Sequence, residues 1–217
     1  MTESMIRRFA ALALFALAPL PAFAQARAPH PPAPARKAPA PATVRVSLQT
    51  SEGPILIDLE MKRAPITAGN FLRYVDEKRF DGTTFYRAAR TRGAPKLGFV
   101  QGGTRHSLVR SLPPIAHEPT TRTGIKHVDG TISMARDTPG SAMGDFFITV
   151  GPAPAMDAHP GKPGDNLGYA AFGHVVGGMN VVRRILAAPT YPDRGGGAMK
   201  GQMIVTPIRI IAARRVG

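Results

Sequence analysis

The segment that decides the fold is VRVSLQTSEGPILIDLE, residues 44–60. Apolar side chains take every second position on both sides of Ser51-Glu52-Gly53, first from Val44 to Leu48 and again from Ile55 to Leu59. A period of two on each side of a turn predicts two antiparallel strands joined as a β-hairpin. The folded region therefore begins near Thr43.

Further short apolar segments follow the hairpin. They predict strands over Thr83–Ala88, Gly98–Gln101, Thr131–Ala135, Phe146–Val150 and Tyr169–Val175, and over residues 203–216. Helical spacing predicts one helix that begins near Pro65 and a second over Met179–Leu186. Many short strands with two helices favour an antiparallel barrel or a sandwich. Segments 90–97, 152–167 and 188–202 are predicted to be long loops, which often carry function.

The first 42 residues have a different composition from the rest of the chain. Residues 1–24 combine Arg7-Arg8, an apolar run and the triplet Ala22-Phe23-Ala24, which is the pattern of a secretory signal peptide. The run is shorter than the about 20 residues of a membrane span, although a buried helix or a membrane anchor is the alternative. Residues 25–42 are rich in Ala and Pro and predict an extended linker. The domain is then residues 43–217, exported to the periplasm.

The composition limits the function classes. The 217 residues contain no cysteine, so disulfide and thiol chemistry is excluded. The net charge of +14 is compatible with binding to nucleic acid, with attraction to an anionic envelope surface, or with a solvated surface that has no specific partner. Export argues against nucleic acid, and the basic residues are scattered without interleaved aromatic residues. We expect a solvated surface, no nucleic-acid partner and no membrane span in the mature chain.

Two motifs of hydrolytic enzymes are incomplete. His117-Glu118 is followed by Thr121 where a His-Glu-x-x-His zinc motif requires histidine. Gly140 directly precedes Ser141, so the Gly-x-Ser-x-Gly motif also fails. We therefore expect neither a metal nor a cofactor.

The segment GTTFYRAAR, residues 82–90, places Arg87 within a strand pattern. With a period of two, Phe85 and Arg87 would lie on the same face of the sheet. A guanidinium beside a phenyl ring requires partners, because desolvating a charge is costly. From this segment alone, Arg87 is either a structural residue stacked on Phe85 or Tyr86 or a group that acts on a substrate.

Four motifs in register then identify a family. FYRAAR…GFVQGG, PIAHE, GTISMAR…FFITV and GYAAFGHVVGGMNVV together resemble the cyclophilin family of peptidyl-prolyl cis-trans isomerases over about residues 44–215. The resemblance implies a mainly β fold, a closed eight-stranded antiparallel barrel capped by two α-helices. It also implies an apolar pocket for proline on the outer surface of the barrel, and a monomer that acts on proline-containing segments of unfolded or exported proteins.

The same resemblance assigns residues to roles. Arg87 matches the family's catalytic arginine and Gln101 matches the glutamine that precedes Gly-Gly. The substrate-binding positions are Phe99, Met134, Ala135, Phe147, Leu167 and Tyr169. Phe85 could add to the same apolar surface. A donor directed at the prolyl nitrogen would stabilise the twisted amide, and arginine provides several donors on a permanent charge.

Three departures from the family pattern bear on activity. Segment 98–101 is one residue shorter than usual, so Phe99 is either the pocket phenyl or its neighbour. Arg136 replaces a frequent asparagine, and Asp145 stands where members have glutamine. Asp145 could pair with Arg87 and neutralise it. The alternative function is therefore a catalytically weak or inactive proline-peptide-binding or chaperone module on the same barrel.

Overall fold

The computed structural model describes residues 42–105 and 107–217, so the predicted signal peptide and nearly all of the predicted linker lie outside the described residues. The opening hairpin forms as its alternation predicts, from β1 (Val44–Thr50) and β2 (Gly53–Leu59). The two strands pair antiparallel, with Val46 opposite Ile57. Both side chains are fully buried.

Six further strands close a barrel with this hairpin. They are β3 (Thr84–Thr91), β4 (Ala94–Gly103), β5 (Thr131–Met134), β6 (Asp145–Val150), β7 (Ala171–Gly177) and β8 (Met203–Arg215). The strand order around the closed barrel is β1-β2-β7-β5-β6-β4-β3-β8, and every neighbouring pair is antiparallel. Closure removes free strand edges. The predicted eight-stranded barrel is confirmed.

Two longer helices pack on the barrel. They are α1 (Pro65–Asp76) and α3 (Met179–Ala187), and a four-residue helix, α2 (Thr120–Thr123), was not predicted. Pro65 suits the first turn of α1, where its missing N–H costs no hydrogen bond. The buried carboxylate of Glu118 accepts hydrogen bonds from the backbone N–H and the hydroxyl of Thr67 in that turn, both at 2.7 Å. Among the described helices, none has the length and apolarity to cross a membrane.

The predicted loop 90–97 is wrong, since most of it is strand. β3 and β4 continue to a tight turn at Arg92 and Gly93, and Gly93 has a φ of +78°. Gly98 has a φ of +142°, and a Cβ there would lie 2.0 Å from the carbonyl oxygen of Ala89. A residue without a side chain lets the two strands approach at this point. Segments 152–167 and 188–202 are irregular apart from 3₁₀ turns at Pro154–Met156 and Gly197–Met199 and an isolated bridge from Thr190 to Ile204.

Candidate functional site

A β-bulge at Tyr86 determines where Arg87 points. Phe85 pairs with Gly102 and Arg87 pairs with Gln101, so Tyr86 is the extra residue between them. A bulge reverses the normal alternation, and bulges are frequent beside active sites. Phe85 consequently faces the core with no exposed surface, whereas Arg87 is half-buried at the outside of the barrel. The expectation that Phe85 and Arg87 share a face is wrong.

A cavity of about 530 Å³ lies over this outer face. It brings together most of the side chains that the sequence assigned to the site, which are Arg87, Phe99, Gln101, Ala135, Arg136, Asp145, Phe147 and Tyr169. Three methionines also line it, Met156, Met199 and Met203, and their flexible side chains adapt to varied ligands. The cavity is therefore large enough for a short peptide segment and mixes an apolar floor with charged walls.

Three aromatic rings form a row across the cavity, with an arginine at each end. Phe147 lies in the middle, with its ring centroid 5.3 Å from those of both Phe99 and Tyr169. The guanidinium of Arg87 lies 4.9 Å from the Phe99 centroid, and that of Arg136 lies 5.2 Å from the Tyr169 centroid. Phe99 thus belongs to the pocket despite the shortened segment. The row provides an apolar surface of the size of a proline ring and its neighbours.

A chain of hydrogen bonds runs behind Arg87. Its Nη1 donates to Gln101 Oε1 at 2.8 Å, and Gln101 Nε2 donates to the Tyr86 hydroxyl at 2.9 Å. The Tyr86 hydroxyl donates to Asp145 Oδ1 at 3.1 Å. Burial, and secondarily the charge of Asp145, raise the pKa of Tyr86, so its proton stays in place. Because arginine only donates and a carboxylate only accepts, the two ends determine the direction of the whole chain.

Asp145 does not neutralise Arg87, contrary to the possibility raised by its position in the sequence. Within the described part of the chain, no ion pair or hydrogen bond joins these two side chains. Asp145 is only 4% exposed and accepts hydrogen bonds from the Tyr86 hydroxyl and from the backbone N–H of Arg105, the latter at 2.8 Å. Among the described residues, Tyr86 and Gln101 connect this carboxylate to Arg87 by hydrogen bonds.

Gln202 is a site residue that the sequence analysis missed. Its Oε1 accepts a hydrogen bond from Arg87 Nε at 2.8 Å, and its own Nε2 donates to the carbonyl of Ala198 at 2.8 Å. Pairing of β3 with the start of β8, where Arg87 lies opposite Met203, brings Gln202 to Arg87 across 115 positions of sequence. The only signal in the sequence was the length of segment 188–202.

Two neutral amide oxygens therefore hold the Arg87 guanidinium. Burial lowers the pKa of Arg87, while Tyr86 and Tyr169 oppose the shift, yet the ordinary arginine value is so high that the group stays charged at neutral pH. Gln101 and Gln202 fix Arg87, and no carboxylate in the described part of the chain pairs with it. Its remaining N–H groups can donate to a ligand in the cavity.

Arg136 is held in a different way. Its guanidinium makes a two-point ion pair with Asp165, at 2.5 and 3.0 Å, and also donates to the carbonyl of Gly168. This hydrogen-bonded pair lowers the pKa of Asp165. The Arg136 side chain is only 4% exposed, and its guanidinium lies over the Tyr169 ring. Arg136 therefore holds segment 165–169 against the end of β5.

A buried hydrogen-bonded group supports the middle of the aromatic row. The His127 ring stacks on Phe147, with centroids 5.9 Å apart and 12° between the planes. His127 Nδ1 bonds Asp157 at 2.8 Å, which leaves Nε2 to accept from the Ser133 hydroxyl at 3.0 Å. Burial lowers the pKa of His127, although Asp157 opposes the shift. Ser133 has no exposed surface, so this arrangement supports Phe147 and cannot attack a substrate.

The structure does not bring three of the expected apolar residues to the cavity. Met134 is 2% exposed and faces the core opposite Phe146, because its neighbour Ser133 takes the outward face of β5. Phe85 is directed inward by the bulge. Leu167 is 38% exposed on the surface and lies outside the lining, since its segment presents Tyr169 instead. Resemblance located these positions along the chain but not the face that each side chain occupies.

This chain is similar to a known protein family and to individual proteins of that family. Residues 45–213 match the family model described as cyclophilin type peptidyl-prolyl cis-trans isomerase/CLD. The chain is 34% identical over 173 residues to peptidyl-prolyl cis-trans isomerase cyp18 of Streptomyces antibioticus, covering 79% of this chain and 98% of that protein. It is 33% identical over 146 residues to peptidyl-prolyl cis-trans isomerase B of Escherichia coli, covering 67% and 85%.

A solved structure shows the same fold. The crystal structure of a cyclophilin type peptidyl-prolyl cis-trans isomerase of Cryptosporidium parvum superposes with a TM-score of 0.61 at 20% identity. The match covers 81% of this chain and 98% of that one.

Proposed function

Because this chain belongs to the cyclophilin-type peptidyl-prolyl cis-trans isomerase family, we propose that it accelerates rotation about X-Pro bonds by directing Arg87 at the prolyl nitrogen. Rotation is slow because nitrogen shares its lone pair with the carbonyl, which creates a barrier of about 18–20 kcal/mol. In the twisted state the lone pair is localised on nitrogen and can accept a hydrogen bond. A donor aimed at that position stabilises the transition state more than either ground state.

The aromatic row supplies the binding surface. The proline ring is held against Phe147, between Phe99 and Tyr169, where burial of apolar surface provides affinity. Exclusion of water from this surface strengthens the contact between Arg87 and the amide. No covalent bond forms or breaks, so the site needs no nucleophile.

The observation that supports this role most directly is the way Arg87 is held. Gln101 and Gln202 orient it through neutral oxygens, so the positive charge stays available to the substrate. An ion pair between Arg87 and Asp145 would have favoured the alternative, a binding module without catalysis. Asp145 instead anchors Tyr86, and Tyr86 anchors Gln101.

Exchange of an X-Pro peptide between cis and trans tests this proposal. NMR exchange spectroscopy would compare the wild-type chain with Arg87→Ala and with Arg92→Ala, an exposed arginine in the β3–β4 turn outside the cavity. Loss of one transition-state donor costs about 10²–10³-fold in rate, so Arg87→Ala is expected to lose at least a hundredfold while Arg92→Ala keeps its rate. Peptide binding by a wild-type chain that shows no catalysed exchange would overturn the proposal and leave the binding module.

The substrates follow from the pattern of residues 1–24. We propose that the chain is exported to the periplasm, where it acts as a monomer on proline-containing segments of exported proteins and assists their folding. The signal-peptide pattern supports this location. Fractionation of a Gram-negative host that expresses the whole chain, with mass spectrometry of its N-terminus, should find a periplasmic protein that begins at Gln25. Uncleaved protein in the cytoplasm would contradict it.

A further inference from the structure

A second cavity of about 470 Å³ adjoins the cavity over Arg87. The two share Tyr86, Arg105, Gly195 and Met203 in their walls, so they form one extended cleft. A substrate chain that places its proline on the aromatic row would have neighbouring residues within reach, because an extended chain advances about 3.3–3.6 Å per residue. The side chains that line this second cavity therefore influence which substrate residues are accepted near the proline.

The charged side chains among the described residues that line the second cavity, Arg105 and Arg194, are both positive. Arg105 lies over the ring of Tyr86, with 5.0 Å from its guanidinium carbon to the ring centroid. Arg194 lies over the ring of Tyr191, at 3.9 Å. Neither guanidinium takes part in an ion pair or a side-chain hydrogen bond with any described residue, and no carboxylate lines this cavity. Both cations are left to be satisfied by solvent or by a ligand.

Stacking on an aromatic ring also orients each guanidinium. It covers one planar face and leaves the N–H groups at the edge, where they can donate. A side chain that is already ordered loses less entropy when it binds, so the affinity for a carboxylate is greater than for a freely moving arginine. Both groups line the same cavity, and a carboxylate has acceptor oxygens enough for hydrogen bonds from more than one donor group.

The backbone of Arg105 is held in place by the buried carboxylate of Asp145. Arg105 has a φ of +51°, which is uncommon for a residue with a side chain. Its N–H donates to Asp145 Oδ1 at 2.8 Å, and the same oxygen accepts from the hydroxyl of Tyr86, the ring under the Arg105 guanidinium. Asp145 thus orders both members of the stacked pair. These two hydrogen bonds support the wall of the cleft that Tyr86 and Arg105 form.

We propose that the second cavity is a subsite for an acidic side chain, so that the protein selects segments with aspartate or glutamate within about three residues of the proline. This inference rests on the proposed function, because the substrate is the same X-Pro segment. The carboxylate is held by Arg105 and Arg194 while the proline lies on the aromatic row. The overall positive charge of the chain adds a weaker, long-range attraction for acidic segments.

The test compares peptides that differ in one side chain. Six pairs carry glutamate or glutamine at one of the three positions before or after an X-Pro bond, and kcat/KM is measured by NMR exchange spectroscopy. In the wild type we expect a glutamate-over-glutamine ratio of about fivefold at one or two positions, as for partly exposed charge pairs. The ratio should approach one in Arg105→Gln/Arg194→Gln and be intermediate in Arg194→Gln, which changes an exposed residue outside the barrel strands.

Matched controls separate a local site from general electrostatics. Arg92→Gln/Arg122→Gln removes the same charge at exposed positions that line neither cavity and should keep the wild-type ratio. A ratio near one at all six positions in the wild type, or an unchanged ratio in Arg105→Gln/Arg194→Gln, would overturn the proposal.

Binding measurements keep this test independent of catalysis. The Kd values of the same peptide pairs come from NMR chemical-shift titration. If no peptide is isomerised, the proposed function fails, yet a preference for glutamate in Kd that disappears in Arg105→Gln/Arg194→Gln still establishes the acidic subsite. Equal Kd values for both members of every pair would reject the subsite even in an active isomerase.

Discussion

An arginine lies at each end of the aromatic row, and the two arginines have partners of different charge. Arg87 is held by the side-chain oxygens of two glutamines, and no described carboxylate forms an ion pair with it. Arg136 is paired with the carboxylate of Asp165 and closed off by the carbonyl of Gly168. At one end of the cavity the arginine is therefore available as a charged donor. At the other end it holds segment 165–169 in place. The identity of the partner, neutral or anionic, makes the difference.

Giving Arg87 a carboxylate partner, like the one that Arg136 has, should have the largest effect on activity. In Gln202→Glu a carboxylate would lie 2.8 Å from Arg87 Nε, where the glutamine oxygen lies now. The new ion pair would compete with the prolyl nitrogen for the charge, and we expect kcat/KM for an X-Pro peptide to fall about tenfold, which corresponds to about 1.4 kcal/mol.

The matched control for that change is Gln202→Met, which removes the oxygen but adds no charge. It should lose only about two- to threefold, as expected for one positioning hydrogen bond. Peptide Kd should change less than kcat in both variants, because binding depends on the aromatic row. A glutamate variant as active as the wild type would show that the neutrality of the partner is unimportant.

Removing the carboxylate that pairs with Arg136 should have a smaller effect on activity. Asp165→Asn removes the anionic partner while the carbonyl of Gly168 still accepts from Arg136. We expect kcat/KM to change by less than about threefold, since Arg136 lies over Tyr169 at the opposite end of the row from Arg87 and keeps its hydrogen bond to Gly168. The Asp165 carboxylate is 45% exposed, so solvent already weakens its pairing with Arg136. Peptide exchange and thermal melting of this variant check the expectation. A hundredfold loss of exchange in a folded protein would instead make Arg136 an equal partner of Arg87.

The smallest expected effect concerns pH and the support under Phe147, between the two ends. Burial lowers the pKa of His127 in this support, and that of His174, a half-buried residue of β7 elsewhere in the barrel, below the ordinary value near 6.5 in the folded chain. The unfolded chain then binds more protons as the pH falls. The stability that these neutral histidines contribute is therefore complete above pH 6.5 and is lost as the pH falls through their lowered pKa values.

Thermal melting between pH 7.5 and pH 5 measures this loss. Each 1 kcal/mol lost would lower Tm by about 2–4 °C in a domain of this size. His127→Gln, which keeps hydrogen-bonding groups but cannot titrate, should show a shallower decrease than the wild type. His159→Gln is the matched substitution at a partly exposed position. A wild-type Tm that is flat or rises toward pH 5 would contradict the assignment of neutral buried histidines.

Much of this protein could be predicted from local patterns. Alternation in residues 44–60 predicts the first hairpin because neighbouring side chains on a strand face opposite sides whatever the rest of the chain does. The order of the motifs around Arg87, Gln101 and Phe147 identified the family, and with it the closed barrel. The hairpin depends on neighbouring residues, and each motif is a short local segment whose order along the chain can be read directly, so one sequence was enough to find both.

Only the tertiary structure decided how the site works. The bulge at Tyr86, the arrival of Gln202 beside Arg87, and the use of Asp145 for Tyr86 and Arg105 all depend on strand register across a closed barrel. Register is a cooperative outcome of packing the whole barrel, and a shift of one residue would reverse every side chain. For this reason the sequence alone indicated that Arg87 is important, while its partners and its charge state required the fold.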